Sequence, residues 1–234
     1  MYKRVLLKLS GEAFLGKSSS GVDEKALAGI VNEIKKVKKL KVELAIVVGG
    51  GNIWRGGQQK IKIINRVTLD YMGMLATIMN SLALRDALEN VGIETHIQSA
   101  IEVGKITEPL NINSAVQHLR KGRIIIFAGG TGNPYFTTDT TAVLRAIEIS
   151  ADVLLKGTQV DGVYTEDPHK NLRAKKFSHL TFMSAIKKHL KIMDTTAFSL
   201  CLDSDLVIIV FNLYKSGNIL NAIKGKKIGT LVTK

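Results

Sequence analysis

Three apolar, strand-like runs in this 234-residue chain each end in a loop built on glycine. Arg4–Leu9 leads into Ser10-Gly11, Leu44–Val48 into Gly49-Gly50-Gly51-Asn52, and Arg123–Phe127 into Gly129-Gly130-Thr131-Gly132-Asn133-Pro134. Glycine lacks the Cβ that would hold a ligand off, so such loops let bare backbone N–H groups approach an anion. One glycine loop after a strand is weak evidence. Three in one domain predict a highly anionic ligand, or two anionic ligands side by side, and they put nucleotide phosphate chemistry first.

The length suits one large domain or two intimate lobes with a real core. No apolar stretch is expected to reach the ~20 residues of a membrane span. Lys3 and Arg4 lead straight into a short strand, so no secretory leader is expected and the cytoplasm is the default compartment. Cys201 stands alone between Leu200 and Leu202, which excludes a disulfide framework and suits a small packed side chain. The net charge of +13 admits nucleic acid, acidic membranes or small anionic substrates as partners. Its densest runs, Lys35-Lys36-Val37-Lys38-Lys39 and Lys224-Gly225-Lys226-Lys227, read as a solvated helix face and a helix exit. Neither run interleaves aromatics with charge as a single-strand binding surface does. Neither membrane nor nucleic acid is therefore an expected partner.

Strand and helix alternate along the chain. Helical patterns cover about Asp23–Leu40, Ile61–Asn90, Asn113–Arg120, Thr138–Ile149, Asp194–Leu202 and Ile219–Lys224. Strands are expected at Arg4–Leu9, Val42–Val48, Ile93–Ile97, Arg123–Phe127, Val153–Lys156 and Leu206–Phe211. Met72, Leu75, Met79, Leu82 and Leu88 form a stripe that fits a core or a subunit interface. The pattern predicts an α/β fold with a mostly parallel sheet and ligands at strand ends.

Gly11-Glu12-Ala13-Phe14-Leu15-Gly16-Lys17-Ser18 fits the P-loop pattern letter for letter. A working P-loop starts its helix at the Gly-Lys-Ser end, so that the dipole faces the phosphates. Here Ser19-Ser20-Gly21 follows and delays the helix to about Asp23, bulky Phe14 and Leu15 crowd the cradle, and no strand ends in a magnesium-binding Asp. The match is a decoy.

Taken together, Lys8-Leu9-Ser10-Gly11-Glu12 and Gly49-Gly50-Gly51-Asn52 with Arg55-Gly56 resemble the amino-acid kinase superfamily. Asp70–Thr77, Thr131–Asp139, Val160–Pro168 and Lys191-Ile192-Met193-Asp194 narrow the resemblance to the bacterial uridylate kinase family, from about Lys3 to the C-terminus. The resemblance implies a three-layer αβα sandwich, amino-acid (carbamate) kinase-like, as one domain over 1–234. An acceptor-side lobe would cover about 1–150 and an ATP-side lobe about 151–234. It implies transfer of the γ-phosphoryl group of Mg-ATP to UMP, giving UDP. The attacking oxygen belongs to a phosphate with a second pKa of about 6, so no general base is required. Catalysis then rests on alignment and on neutralising crowded negative charge.

On this resemblance Lys8, Lys156 and Asp194 are the catalytic candidates. Lys8 supplies a cation to the ATP phosphates, Lys156 sits near the transferred group, and Asp194 orients the lysines, its plain alternative being a helix N-cap. Lys8, Leu9, Ser10, Gly11, Gly51, Arg55, Thr158, Tyr164 and Asp167 fall at ATP-binding positions. Gly50, Asp70, Thr131, Gly132, Asn133, Pro134, Tyr135, Phe136, Thr137 and Thr138 fall at UMP-binding positions, with Asp70 reading ribose and the threonine loop reading the pyrimidine edge. Mg2+ arrives with ATP, held by phosphates and water, and no protein ligand is assigned to it. The histidines have no metal-like spacing, and His118, His169, His179 and His189 read as surface residues.

The resemblance also implies a homohexamer, with UTP as an inhibitor at the UMP pocket. Gly16–Gly21 lies where effector contacts occur in the family. Glu89 near His96 would repel a triphosphate, so GTP activation is not expected. Two other readings stay open: a superfamily kinase acting on a carboxylate or carbamate, and a basic nucleic-acid-binding module whose glycine loops are only structural.

Overall fold

Side-chain alternation along the first strand, β1 (Arg4–Leu9), fixes the layers. Val5, Leu7 and Leu9 enter one core and Leu6 enters another on the opposite face, each fully buried. The computed structural model describes residues 1–55, 61–190 and 192–234. Gly56 and Lys191 of the quoted motifs lie outside the described residues.

The first core is closed by α1 (Glu24–Lys38), α2 (Arg66–Glu89) and α7 (Asn218–Ile223). The second is closed by α3 (Ile112–Arg120), α4 (Thr138–Glu148), α5 (Phe182–Lys187) and α6 (Thr195–Leu202). Between them lie β1, β2 (Glu43–Val48), β3 (Thr95–Ser99), β4 (Glu108–Pro109), β5 (Ile124–Ala128), β6 (Val153–Thr158), β7 (His179–Thr181), β8 (Val207–Asn212) and β9 (Thr230–Thr233). They form one sheet in the order β4-β3-β5-β2-β1-β6-β8-β9-β7, with only the β8–β9 pairing antiparallel. The predicted α/β class, mostly parallel sheet and three layers are all present.

Strand order decides where ligands can sit. From β1 the chain first builds outward through β2 to β5, then returns to pair β6 against the other side of β1. The loops leaving β1 and β2 therefore part from the loop leaving β6 above the strands' C-terminal ends, the usual crevice of an open parallel sheet.

Several boundaries move for local reasons. Helix α2 starts after Asn65, whose Oδ1 accepts from the Thr68 amide at 2.8 Å, and not at Ile61. Ile93 is not in a strand, because its N–H returns to Leu88 O at 3.0 Å and Gly92 takes φ +77° to close α2, so β3 begins at Thr95. The Gly11–Phe14 segment is a single 3-10 turn with Phe14 fully buried, which removes the P-loop match, and α1 begins beyond its Asp23 cap as expected. β4, β7, α5 and β9 were not expected from the sequence; three of them are strands of two to four residues, too short to carry a period.

One expectation about α2 needs correction. At 24 residues, with a mean hydropathy of 1.2 over its most apolar window, it is the one described helix long and apolar enough to cross a membrane by length and composition. Ile78, Leu84 and Leu88 nevertheless enter the first core. The methionine stripe is also split, since Leu88 is buried while Leu75 and Met79 face outward.

Candidate active site

Period two places Lys8 on the face of Leu6 and Lys156 on the face of Leu154, and the β1–β6 register makes Lys8 and Lys156 direct partners. Both lysines are buried. Helix α4 covers that face and brings Asp139 from its first turn between them. Lys8 Nζ lies 2.9 Å from Asp139 Oδ1 in an ion contact, and Lys156 Nζ donates to Oδ2 at 2.5 Å. Lys156 also donates to the Ile192 carbonyl. Burial alone would raise the Asp139 carboxyl, but Lys8 and Lys156 overcome it and hold the pKa at about 2. Burial lowers the Lys156 pKa against the opposing pull of Asp139. Two ammonium groups share one bridging carboxylate at the strand ends, and the charge of Asp194 also acts on Lys156.

Asp194 does not bind the lysines. It is the N-cap of α6, accepting from the Ala197 amide at 3.0 Å, and it accepts from the hydroxyls of Thr137 and of Thr140, the latter at 2.9 Å. It therefore ties the start of α6 to the start of α4, while the lysine-bridging carboxylate belongs to Asp139. The sequence carried that residue inside Thr137-Thr138-Asp139, where an acid in a first helical turn reads as dipole stabilisation.

The glycine loops converge on the same crevice. A Cβ on Gly11 would lie 2.4 Å from the Gly51 nitrogen and 2.6 Å from Asn52 Oδ1, so the β1 and β2 loops meet only because Gly11 is bare. Gly50 is pressed onto α2, its missing Cβ 2.8 Å from the Gly73 carbonyl, whereas Gly51 meets nothing closer than Arg55 at 3.6 Å. Behind them Asn80 Nδ2 donates to Gly49 O and to Asn52 Oδ1, each at 2.7 Å. Asn52 Nδ2 returns a bond to Asn80 Oδ1 at 3.0 Å. This buried amide pair was invisible in the sequence, because Asn80 lies 28 residues away in an apolar helix. Arg55 donates to Gly51 O at 2.9 Å and pairs with Glu12.

A sequence profile of the amino acid kinase family matches residues 3–212. The chain belongs to the amino acid kinase family. Solved structures agree. A UMP kinase from Bacillus anthracis superposes with a TM-score of 0.96 at 40% identity, covering 99% of this chain and 96% of its own. A UMP kinase from Ureaplasma parvum gives 0.93 at 38% identity with both chains covered completely. A uridylate kinase from Archaeoglobus fulgidus gives 0.74 at 26% identity, covering 98% and 100%.

Within this family member the acceptor-side candidates gather at the N-terminal half of α2. Gly50, Asp70, Phe136, Thr137 and Thr138 line a cavity of 150 Å³ together with Trp54 and Met74. Asp70 is not a solvated helix carboxylate. Arg66 donates to its Oδ1 at 2.7 Å, and the Tyr135 amide donates to its Oδ2 at 2.8 Å. Tyr135 takes a left-handed φ of +71° to do so and lies under Arg66, 5.4 Å from ring centre to guanidinium carbon. Thr131, Gly132, Asn133, Pro134 and Tyr135 do not line the cavity; they shape the loop beside it, with the Thr131 hydroxyl accepting from the Asn133 amide at 3.2 Å. Thr137 caps α4 by accepting from the Asp139 amide at 3.1 Å.

On the other side of Lys156, Thr158, Tyr164 and Asp167 line a 640 Å³ cavity that also takes in Lys170, Lys188 and Ile192. The Thr158 hydroxyl is occupied by Val160 O at 2.8 Å, and Asp167 accepts from the His169 amide at 3.0 Å. The Leu9 side chain is in the core, so only its backbone can serve a ligand, and Ser10 makes no side-chain cap to the turn after it. A larger cavity of 890 Å³ lies between α1 and α7 and includes none of the predicted site residues.

His169, His179 and His189 are exposed as expected. His118 is not a surface residue: it is half-buried against His96, ring centroids 4.0 Å apart, with Glu108 reaching both. Burial first, then His96, lowers the His118 pKa.

Proposed function

We propose that this chain is an ATP-dependent UMP kinase, transferring the γ-phosphoryl group of ATP to UMP to give UDP and ADP. The observation that carries the reading is the Lys8–Asp139–Lys156 bridge at the β1–β6 junction, in a chain at 38–40% identity to two UMP kinases over nearly its full length. An oxygen of the UMP phosphate attacks the γ-phosphorus, the bond from that phosphorus to the ADP oxygen breaks, and no proton needs to be removed first. Lys8 and Lys156 stabilise charge on the phosphates between donor and acceptor, where a buried cation acts strongly. Asp139 spaces the two ammonium groups, and Asp194 holds α4 and α6 in register beneath them.

The cavity around Asp70 supports UMP on the side of residues 1–150, with Asp70 accepting from ribose hydroxyls and Thr137 and Thr138 presenting the start of α4 to the acceptor phosphate. The cavity around Tyr164 supports ATP on the side of residues 151–234, with Lys8 through Gly11, Gly51 and Arg55 against its phosphates. Both carboxylates of the centre are taken, Asp139 by lysines and Asp194 by hydroxyls and an amide, which suits Mg2+ arriving with ATP on phosphate and water ligands. The outward apolar row of α2 supports a homo-oligomer, and we assign a hexamer from the family resemblance. UTP inhibition through the UMP pocket, a role in pyrimidine nucleotide supply and a cytoplasmic site complete the proposal.

The test is ADP release with Mg-ATP and a panel of UMP, CMP, dTMP, acetylglutamate, aspartate and carbamate. Turnover with UMP alone is expected. Turnover with an amino acid or carbamate instead would reassign the acceptor, and no turnover with any of them would overturn the enzyme reading.

A further inference from the structure

At the sheet edge away from the lysine pair, β3, β4 and α3 bring His96, Glu108 and His118 together. Three strand steps, about 14 Å of sheet, separate β3 from β1. His96 Nδ1 lies 2.7 Å from Glu108 Oε1, and His118 Nε2 lies 3.7 Å from Glu108 Oε2. One donor atom from each of the three falls within 4.8 Å of the others. Ligand atoms in a tetrahedral zinc site with ~2.0–2.1 Å bonds stand about 3.3 Å apart, so the observed spacings bracket what such an ion needs.

We propose that His96, Glu108 and His118 form a binding site for one zinc-class divalent ion, separate from the phosphoryl-transfer centre. Two imidazoles and a carboxylate select Zn2+, Co2+ or Ni2+ over Mg2+, which prefers an all-oxygen shell. The fourth position is left for water. Polar side chains already surround the donors, as they do in metal sites generally, and the one beside His118 must give way when an ion binds. Glu94 Oε1 lies 3.4 Å from His96 Nε2, placed to accept an N–H from that nitrogen once the ion takes Nδ1. Gln98 Nε2 donates to Glu108 Oε2 at 3.4 Å. Arg123 lies 3.3 Å from His118 Nδ1 and 2.6 Å from Glu94. When the ion takes His118 Nε2, the proton moves to Nδ1 and Arg123 stays with Glu94. The ion would pin β4, which pairs with β3 at only two positions, to both β3 and α3.

The experiment is calorimetric titration of ZnCl2 into untagged, chelator-treated, nucleotide-free protein, repeated with His96→Asn, Glu108→Gln and His118→Asn. One equivalent per chain is expected, weakened at least about tenfold in each variant, together with a rise in Tm on adding Zn2+ that the variants lose. Co2+ added to the wild type should give visible absorption bands of a low-coordinate site with imidazole ligands. Circular dichroism of each variant without metal checks that it is folded. Equal Zn2+ binding by wild type and all three variants, or a Co2+ spectrum of the hydrated ion alone in the wild type, would overturn the proposal.

Discussion

Lys8 and Lys156 face each other as register partners on adjacent parallel strands, and one carboxylate, Asp139, lies between their ammonium groups. Two like charges held side by side in a buried site repel each other, so the pair persists only with that anion in place. In the proposed reaction this arrangement would hold cations ready for the phosphates before any nucleotide binds, so the reorganisation cost is met in folding. Replacing Lys8 or Lys156 by Ala should each lower kcat by about 10²–10³, the loss seen when one preorganised electrostatic contact to the reacting group is removed. Steady-state kinetics with UMP checks this. A fall of less than threefold in both variants would remove the lysines from the chemistry.

Asp139 makes the same cluster sensitive to acid. Its folded pKa of about 2 lies below the ordinary 3.8, so its ionised form favours the folded chain at any pH above about 4. That contribution, about 2 kcal/mol, is lost as pH falls through 2. The stability gap between the wild type and Asp139→Asn should therefore be widest above pH 4 and narrow by about that amount toward pH 2. Urea denaturation at stepped pH measures it, and a gap constant from pH 6 to pH 2 would contradict the assignment.

The difference between Asp139 and Asp194 shows how far the sequence could be read. Strand alternation and glycine loops placed the strands and the crevice at their ends, because each of those signals is local, while the family resemblance singled out both lysines. Both aspartates also carried local signals, each as a helix-start acid. Which one reaches the lysines depends on α4 crossing the face of β1 and β6, a tertiary fact with no trace in spacing. Asn80 and the His96–Glu108–His118 group were missed for the same reason, since their partners lie 10 to 31 residues apart and meet only through packing. The α2 stripe, expected as core or subunit interface, sends Leu88 into the core and turns Leu75 and Met79 outward, a division that a helix apolar on most sides does not reveal in sequence.

Asp70 provides a test of the acceptor side that leaves the donor side alone. Its two oxygens already hold Arg66 and the Tyr135 amide, which leaves further lone pairs directed at the cavity. Asp70→Ala should raise KM for UMP about 10–100-fold, the cost of losing hydrogen bonds to a charged group, with KM for ATP changed less than threefold. Initial rates with each substrate varied in turn decide it. An equal rise in both constants would indicate collapse of the Tyr135 loop in place of lost ribose contacts.

Val67, Tyr71, Leu75 and Met79 recur every fourth residue on α2 and all face outward, with exposure rising from 39% at Val67 to 56% at Met79. Single exposed apolar side chains are common, but a row of four on one helix is what a protein–protein contact covers. Leu75→Glu combined with Met79→Glu places two charges in that row while leaving Ile78, Leu84 and Leu88 in the core, so the isolated fold should keep its far-UV spectrum. Light scattering after gel filtration should then report a mass several-fold below that of the wild type, with oligomer mass restored by Leu75→Ile and Met79→Leu, which keep the surface apolar. If the double glutamate variant elutes at the wild-type mass, the α2 row lies outside any subunit contact of the proposed oligomer.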